Sequence, residues 1–232
     1  EPFIPEFARF HEAKNKRVLE IGVGAGSDFL NWTRHAEHAT GVDLTEAAIR
    51  LTDENLQLHD IPPAKYTLQR ADAENLNLPS ESFDIVYSWG VLHHSPETVQ
   101  ALKEVFRVLK PGGNAKIMVY HVHSWTAWML YALYGPLRGH FSMTPRKAVY
   151  KHLESPGTKA YDLSEARRIL EGIGFTNVRL STRLSPGDLL EIKPSGKYQS
   201  GIHRMIWKFY PRSLVRAIGH RFGLYLLMEG TK

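Results

Sequence analysis

Residues 20–26 read Glu-Ile-Gly-Val-Gly-Ala-Gly. Glycines at alternate positions let a backbone turn tightly and approach a ligand without Cβ obstruction. Such a loop opening a helix also suits a dinucleotide pyrophosphate. The spacing argues against that ligand here. The dinucleotide fingerprint has its third glycine three positions after the second; that position is Ser27, and Gly26 comes one earlier. Glu20 also sets a carboxylate just before the loop, which disfavours a pyrophosphate and suits a cationic ligand without phosphate. Asp43 lies 23 residues after Glu20, where an acidic side chain can accept from both hydroxyls of a ribose. Further along, Asp72-Ala73-Glu74 offers a carboxylate to an adenine amino group, and Ser88-Trp89-Gly90 follows a fourth strand signal.

Two histidine pairs follow, His93 with His94 and His121 with His123. A neutral imidazole near its ordinary pKa can remove a proton from an acceptor, so His93, His94 and His121 are candidate catalytic residues. The alternative for each is a turn cap or a packing role. The four histidines match no known metal-ligand spacing, and no metal is expected.

The elements that position these residues alternate at short spacing. Arg17–Ile21, Thr40–Asp43, Tyr66–Gln69, Phe83–Ser88 and Ala115–Tyr120 read as strands. Helical patterns run from Ser27, a candidate N-cap, to about His35, from Glu46 to Leu58 behind Thr45, and from Pro96 to Leu109. Lys110-Pro111-Gly112-Gly113 is expected to end that last helix. All the candidate ligand groups then fall at the carboxyl ends of parallel strands, where open α/β sheets bind ligands. After Tyr120 the rhythm breaks. A helix from Leu163 to Gly172 or Gly174, a strand Thr176–Leu184 and a last strand Gly223–Met228 resume it.

Val18-Leu19-Glu20-Ile21-Gly22-Val23-Gly24-Ala25-Gly26, Gly41-Val42-Asp43, Ala71-Asp72-Ala73, Phe83-Asp84 and Arg107-Val108-Leu109-Lys110-Pro111-Gly112-Gly113 occur in order. Together they resemble the successive motifs of class I S-adenosylmethionine (SAM)-dependent methyltransferases. The resemblance is strongest to the type 11 group that includes ubiquinone and menaquinone biosynthesis enzymes, and it covers roughly residues 15–120. It implies a Rossmann-like α/β sheet of seven mostly parallel strands, with SAM as cofactor. Glu20, Gly22, Gly24 and Gly26 would line the methionine part of SAM, and Asp43 would hold the ribose. Leu44 and Ala73 would sandwich the adenine, Asp72 would meet its amine, and Ser88 would complete the cofactor site.

Length and composition bound the rest. The 232 residues, 43% hydrophobic and 23% charged, suit one soluble α/β domain. The expected organisation is a single domain over 1–232, with a core at about 15–120, 161–184 and 223–232. Helical cap insertions would occupy about 121–160 and 185–222. With no cysteine, disulfides, cysteine-ligated zinc and a cysteine nucleophile are excluded, and a cytoplasmic setting is expected. The most apolar stretch, from Trp125 to Leu137, is too short to span a membrane and is broken by Gly135-Pro136.

Net charge divides the chain. Residues 1–120 carry 12 Lys and Arg against 17 Asp and Glu, whereas residues 121–232 carry 17 against 7. In the basic half Arg138, Arg146, Lys147, Lys151, Arg204, Lys208 and Arg212 interleave with Trp125, Trp128, Tyr131, Tyr134, Trp207 and Tyr210. Such a mixture suits a small anionic or amphipathic acceptor for methylation at O, N or C, and transient contact with an anionic membrane surface. The same charges would suit a nucleic acid, an RNA methyltransferase being the alternative. Against it, Tyr87-Ser88-Trp89-Gly90 stands where amino-group DNA methylases carry Asn/Asp-Pro-Pro-Tyr, so a small-molecule partner is expected instead. A nicotinamide-dependent oxidoreductase is disfavoured by the glycine spacing, and a non-catalytic SAM-binding module is the remaining alternative.

Overall fold

The computed structural model describes residues 1–191 and 208–232, with the side chains of Ile218 and His220 excepted. Arg204 and Trp207 lie outside the described residues. Seven strands follow one another across a single sheet: β3 (Tyr66–Arg70), β2 (His38–Asp43), β1 (Arg17–Ile21), β4 (Phe83–Trp89), β5 (Leu109–His121), β8 (Tyr225–Thr231) and β7 (Thr176–Arg183). A two-residue strand, β6 (Ala160–Tyr161), pairs with β5 off this path. The pairings β1–β2, β2–β3, β1–β4 and β4–β5 are all parallel. β8 reverses: Lys232 exchanges backbone bonds with Gly112 and Gly113, while His121 N donates to Leu224 O. The expected α/β class and mostly parallel seven-strand sheet are therefore present.

The chain folds as two compact units. The first comprises Glu1–Val119, Ser164–Leu180 and Leu227–Lys232. Its central strands β1 and β4 are buried almost throughout, because their near-continuous apolar runs are covered on both faces. Helix α4 (Thr98–Val108) buries Ala101, Leu102, Val105 and Val108, one face at helical spacing. Strand order reverses beside β1, with β2 on one side and β4 on the other, and open α/β sheets bind ligands beyond the carboxyl ends of the strands at such a switch point. The second unit, Tyr120–Leu163 and Ser181–Leu226, includes α5 (Trp125–Tyr134) and α6 (Pro145–His152). Both expected insertions thus contribute to one unit.

Several boundaries differ from the sequence reading. Gly26, in the left-handed region, takes the N-cap place of α2 (Ser27–His35), and Ser27 is its first helical residue. Helix α4 begins at Thr98, two residues after Pro96, because Leu92–His94 form a separate 3-10 turn. Lys110–Gly113 do not form a free turn. They lie within β5, where an irregularity against β4 between Phe83 and Ile85 absorbs the extra residues. The last strand starts at Tyr225 because Gly223 is pressed against the backbone of Arg183, its Cβ position only 2.2 Å from Arg183 C and O.

Candidate functional site

The glycine loop leaves β1 at the switch point and is held from below and from the side. Gly22 N and Val23 N both donate to Val42 O, at 2.7 and 3.3 Å, and Gly26 N donates to Val23 O at 2.8 Å. Gly22, Gly24 and Gly26 all sit at positive φ, at 85°, 53° and 78°. Their surroundings differ. A Cβ on Gly22 would lie 2.1 Å from Val91 Cγ2, and one on Gly26 would lie 2.9 Å from Thr52 Cγ2. A Cβ on Gly24 would meet nothing within 4 Å. Gly24 therefore faces open space: Gly22 and Gly26 are glycines for packing, whereas at Gly24 only the positive φ favours glycine.

Asp43, at the end of β2, closes the loop from above. Its Oδ2 accepts from Gly24 N at 3.2 Å, and its Oδ1 accepts from Thr45 N and Thr45 Oγ1 at 3.0 and 3.1 Å. One carboxylate thus ties the β1 loop to the start of α3 (Glu46–Leu58), whose first turn Thr45 caps by accepting from Ala48 N. Two α3 side chains three residues apart hold the loop's carbonyls: Thr52 Oγ1 donates to Gly24 O and Asn55 Nδ2 to Ala25 O, each at 3.1 Å. Neither was legible as a site residue; the signal was their i, i+3 spacing on a helix facing the glycines.

Glu20 is 3% exposed, and its Oε2 has no hydrogen-bond partner. Burial pushes its carboxyl well above the usual carboxylate range, and the neighbouring Asp28 carboxylate adds to that. Asp28, in the first turn of α2, accepts from Tyr87 OH at 2.7 Å, and burial raises its carboxyl too. Two acids meet under one glycine loop; among the described residues no basic side chain is bonded to either, and the charge of the Glu1 amino group partly offsets the rise at Asp28. A cation at the loop would relieve both. Sequence reasoning missed Asp28; an acid in the first turn after a glycine loop was its signal.

Beside Asp43, Ala71 N donates to Asp43 O at 2.9 Å and Arg70 Nε to Leu44 O at 3.0 Å. These bonds set Asp72 and Ala73 next to Asp43 and Leu44. Leu44 is 61% exposed, an apolar surface with no packing role of its own. Asp72 is exposed and its Oδ1 accepts from Glu74 N at 2.9 Å. Below it, Arg107 on α4 holds Leu76 O and Leu78 O, while Glu104 accepts from Leu76 N. Ser88 is fully buried and its Oγ donates to Ile21 O at 2.9 Å, which joins β4 to β1. Its side chain serves the sheet.

The histidines are divided between the two units. His93 is fully buried on the 3-10 turn after Gly90, its ring 4.3 Å from that of exposed His94. His121, in the second unit, is buried, and its Nδ1 lies 3.2 Å from Gly223 O. A carbonyl can only accept, so Nδ1 carries the proton and Nε2 keeps the lone pair. Burial lowers its pKa, which keeps the ring neutral near pH 7.

Residues 19–117 match the family model described as a methyltransferase domain. Over 104 residues the chain is 41% identical to phthiotriol/phenolphthiotriol dimycocerosates methyltransferase 1 of Mycobacterium ulcerans, covering 44% of this chain and 36% of that protein. Over 99 residues it is 34% identical to an S-adenosyl-L-methionine-dependent Diels-Alderase of Talaromyces variabilis, covering 42% of this chain and 34% of that one. The chain spans about a third of the length of these relatives. A crystal structure of a putative methyltransferase from Bacillus halodurans superposes with a TM-score of 0.68 at 19% identity, covering 100% of this chain and 99% of the other, a likeness of fold.

Proposed function

We propose that this chain, whose residues 19–117 are a class I, type 11 SAM-dependent methyltransferase domain, transfers a methyl group from SAM to a small anionic or amphipathic acceptor. The observation that carries the cofactor half is the buried Glu20 carboxyl, whose Oε2 has no hydrogen-bond partner, beneath a loop whose Gly24 opens onto free space. These residues fit SAM. Glu20 and Asp28 would face its cationic methionine end, and Asp43 its ribose hydroxyls. Leu44 and Ala73 would flank the adenine. When bound, SAM supplies an electrophilic methyl carbon on a positive sulfonium. The chain's own part is to bind, align and exclude water, since an in-line displacement gains most from orientation and desolvation. Asp43 holds the loop in the conformation it needs before ligand arrives, because its Gly24 and Thr45 bonds already exist in the protein alone.

The acceptor half rests on charge. The basic residues of the second half and their aromatic neighbours suit an anionic, partly apolar molecule, and the M. ulcerans relative is a methyltransferase of phthiotriol/phenolphthiotriol dimycocerosates. His121, neutral and with Nε2 unprotonated, has the chemistry of a base. A second reading is favoured by the Diels-Alderase relative: SAM is bound but its methyl is not transferred. Incubation with methyl-labelled SAM and fractions of a cell extract separates the two. The expected result is label in an organic-soluble acidic fraction with stoichiometric S-adenosylhomocysteine. SAM binding with no transfer to any fraction would favour the second reading.

A further inference from the structure

We propose that residues 135–152 of the second unit dock on an anionic phospholipid surface, with Leu137 and Phe141 entering the interface and Arg138, Lys147 and Lys151 holding lipid phosphates. Leu137 is 77% exposed and Phe141 82% exposed. Both belong to the connection between α5 and α6, Leu137 on its 3-10 turn Pro136–Arg138. Apolar side chains of this size held in water, next to cations, are the composition of an interfacial membrane contact.

The cations are ordered by the same segment. Thr144 caps α6 by accepting from Lys147 N at 3.2 Å. Helical spacing then puts Lys147, Tyr150 and Lys151 on the exposed face, while Ala148 and Val149 are buried. With Tyr134, Arg138 and His140, the exposed Lys147, Tyr150 and Lys151 line a cleft of about 570 Å³, to which no carboxylate among the described residues contributes. The Arg138 guanidinium lies 4.7 Å from the Tyr134 ring centroid, and that ring stacks on His152 at 3.9 Å. Among the described residues, none of Arg138, Lys147 and Lys151 forms an ion pair. Glu154, the acid closest to them in sequence, accepts from Tyr120 OH at 2.6 Å. Three cations around an acid-free cleft call for an anion. A cleft within the range of small-molecule sites, roughly 300–1,000 Å³, has room for a headgroup with more than its phosphate. A nucleic acid would use the cations yet gain nothing from Leu137 and Phe141; a bilayer interface uses both. No helix among the described residues is long and apolar enough to cross a membrane.

The inference is independent of methyl transfer, and its test is run on the full chain without SAM. Co-sedimentation with vesicles of phosphatidylcholine alone, and of phosphatidylcholine mixed with phosphatidylglycerol, is the measurement. Binding is expected only to the mixed vesicles and should weaken steeply with salt. Leu137→Ser with Phe141→Ser should reduce it by roughly tenfold or more, and Lys147→Glu with Lys151→Glu by a similar factor. Because the chain has no cysteine, Phe141→Cys carries a single environment-sensitive dye, whose emission should shift with the mixed vesicles and not with phosphatidylcholine. Inorganic phosphate separates the two sources of anion. Phosphate binding without vesicle binding would make the cleft a soluble-anion site and overturn the proposal. So would vesicle binding that neither variant pair reduces, or a dye that senses no change.

Discussion

Glu20 gives the site its most specific physical signature. A buried carboxyl whose pKa is raised favours the folded state while protonated. Its contribution is therefore fully present below the ordinary carboxylate value of 4.5 and declines as pH rises through and above it. Glu20→Gln should flatten that decline, raising the melting temperature of the ligand-free protein near neutral pH, and should weaken SAM binding by at least roughly tenfold through loss of the charge. Thermal melts across pH with and without SAM read both effects; a variant that melts lower at pH 7 and binds SAM equally well would contradict the assignment. Asp43 differs because it already has protein partners. Asp43→Ala should cost about 1.5–3 kcal/mol of SAM affinity, partly through the ligand and partly through the loop it releases. Unchanged affinity on titration would remove it from the site.

At the scale of elements, the first half was legible, and so were the helix Leu163–Ile173, the strand Thr176–Arg183 and the last strand Tyr225–Thr231, whereas the elements within 121–160 were not. Strands β1 to β4 and helices α2 and α3 are bounded by glycine loops, turns and caps close to where the residue types place them. The differences arise where tertiary contacts override local preference, as at Lys110–Gly113, which the sheet draws into β5. Buried positions of unusual chemistry were invisible too. Lys116 on β5 is 1% exposed, and its ammonium donates to Ala8 O at 2.5 Å with Glu12 at 3.5 Å. Burial, and after it the nearby Arg9 charge, push its pKa from 10.5 down to about 8. A lysine so shifted binds its proton less tightly in the folded than in the unfolded chain. Stability should therefore rise with pH between about 8 and 10.5, by at most roughly 3 kcal/mol. Lys116→Met should abolish that rise, and denaturant midpoints measured across this window in both proteins check it. An identical slope in the two would refute the argument.

The whole molecule is two compact units with different anchors. The first rests on a parallel sheet; the second rests on a polar hub that no pattern announced. Asp188 is fully buried. It accepts from Thr126 N and Oγ1 at 2.9 and 2.8 Å, from Ser185 N and Oγ at 2.9 and 3.1 Å, and from Leu224 N at 2.7 Å. Residues far apart in sequence meet on one carboxylate, so residue spacing could not reveal it. Asp188→Ala leaves those donors buried and unsatisfied and should destabilise the second unit by about 3–5 kcal/mol. Hydrogen exchange should show protection lost at Thr126 and Leu224 while β1 and β4 keep theirs; protection unchanged throughout would refute the hub.

If the glycine loop at the carboxyl ends of β1 and β2 binds SAM, calorimetric titration of the wild-type chain and Gly24→Ala with SAM and with NADH shows it. Gly24→Ala places its Cβ in open space and costs only about 1 kcal/mol of backbone strain at its positive φ, so the chain should stay folded. The account expects SAM to bind the wild type, NADH not to bind, and the variant to lose SAM affinity by far more than that strain explains. Binding of NADH without SAM, or equal SAM affinity in a folded Gly24→Ala variant, would contradict it.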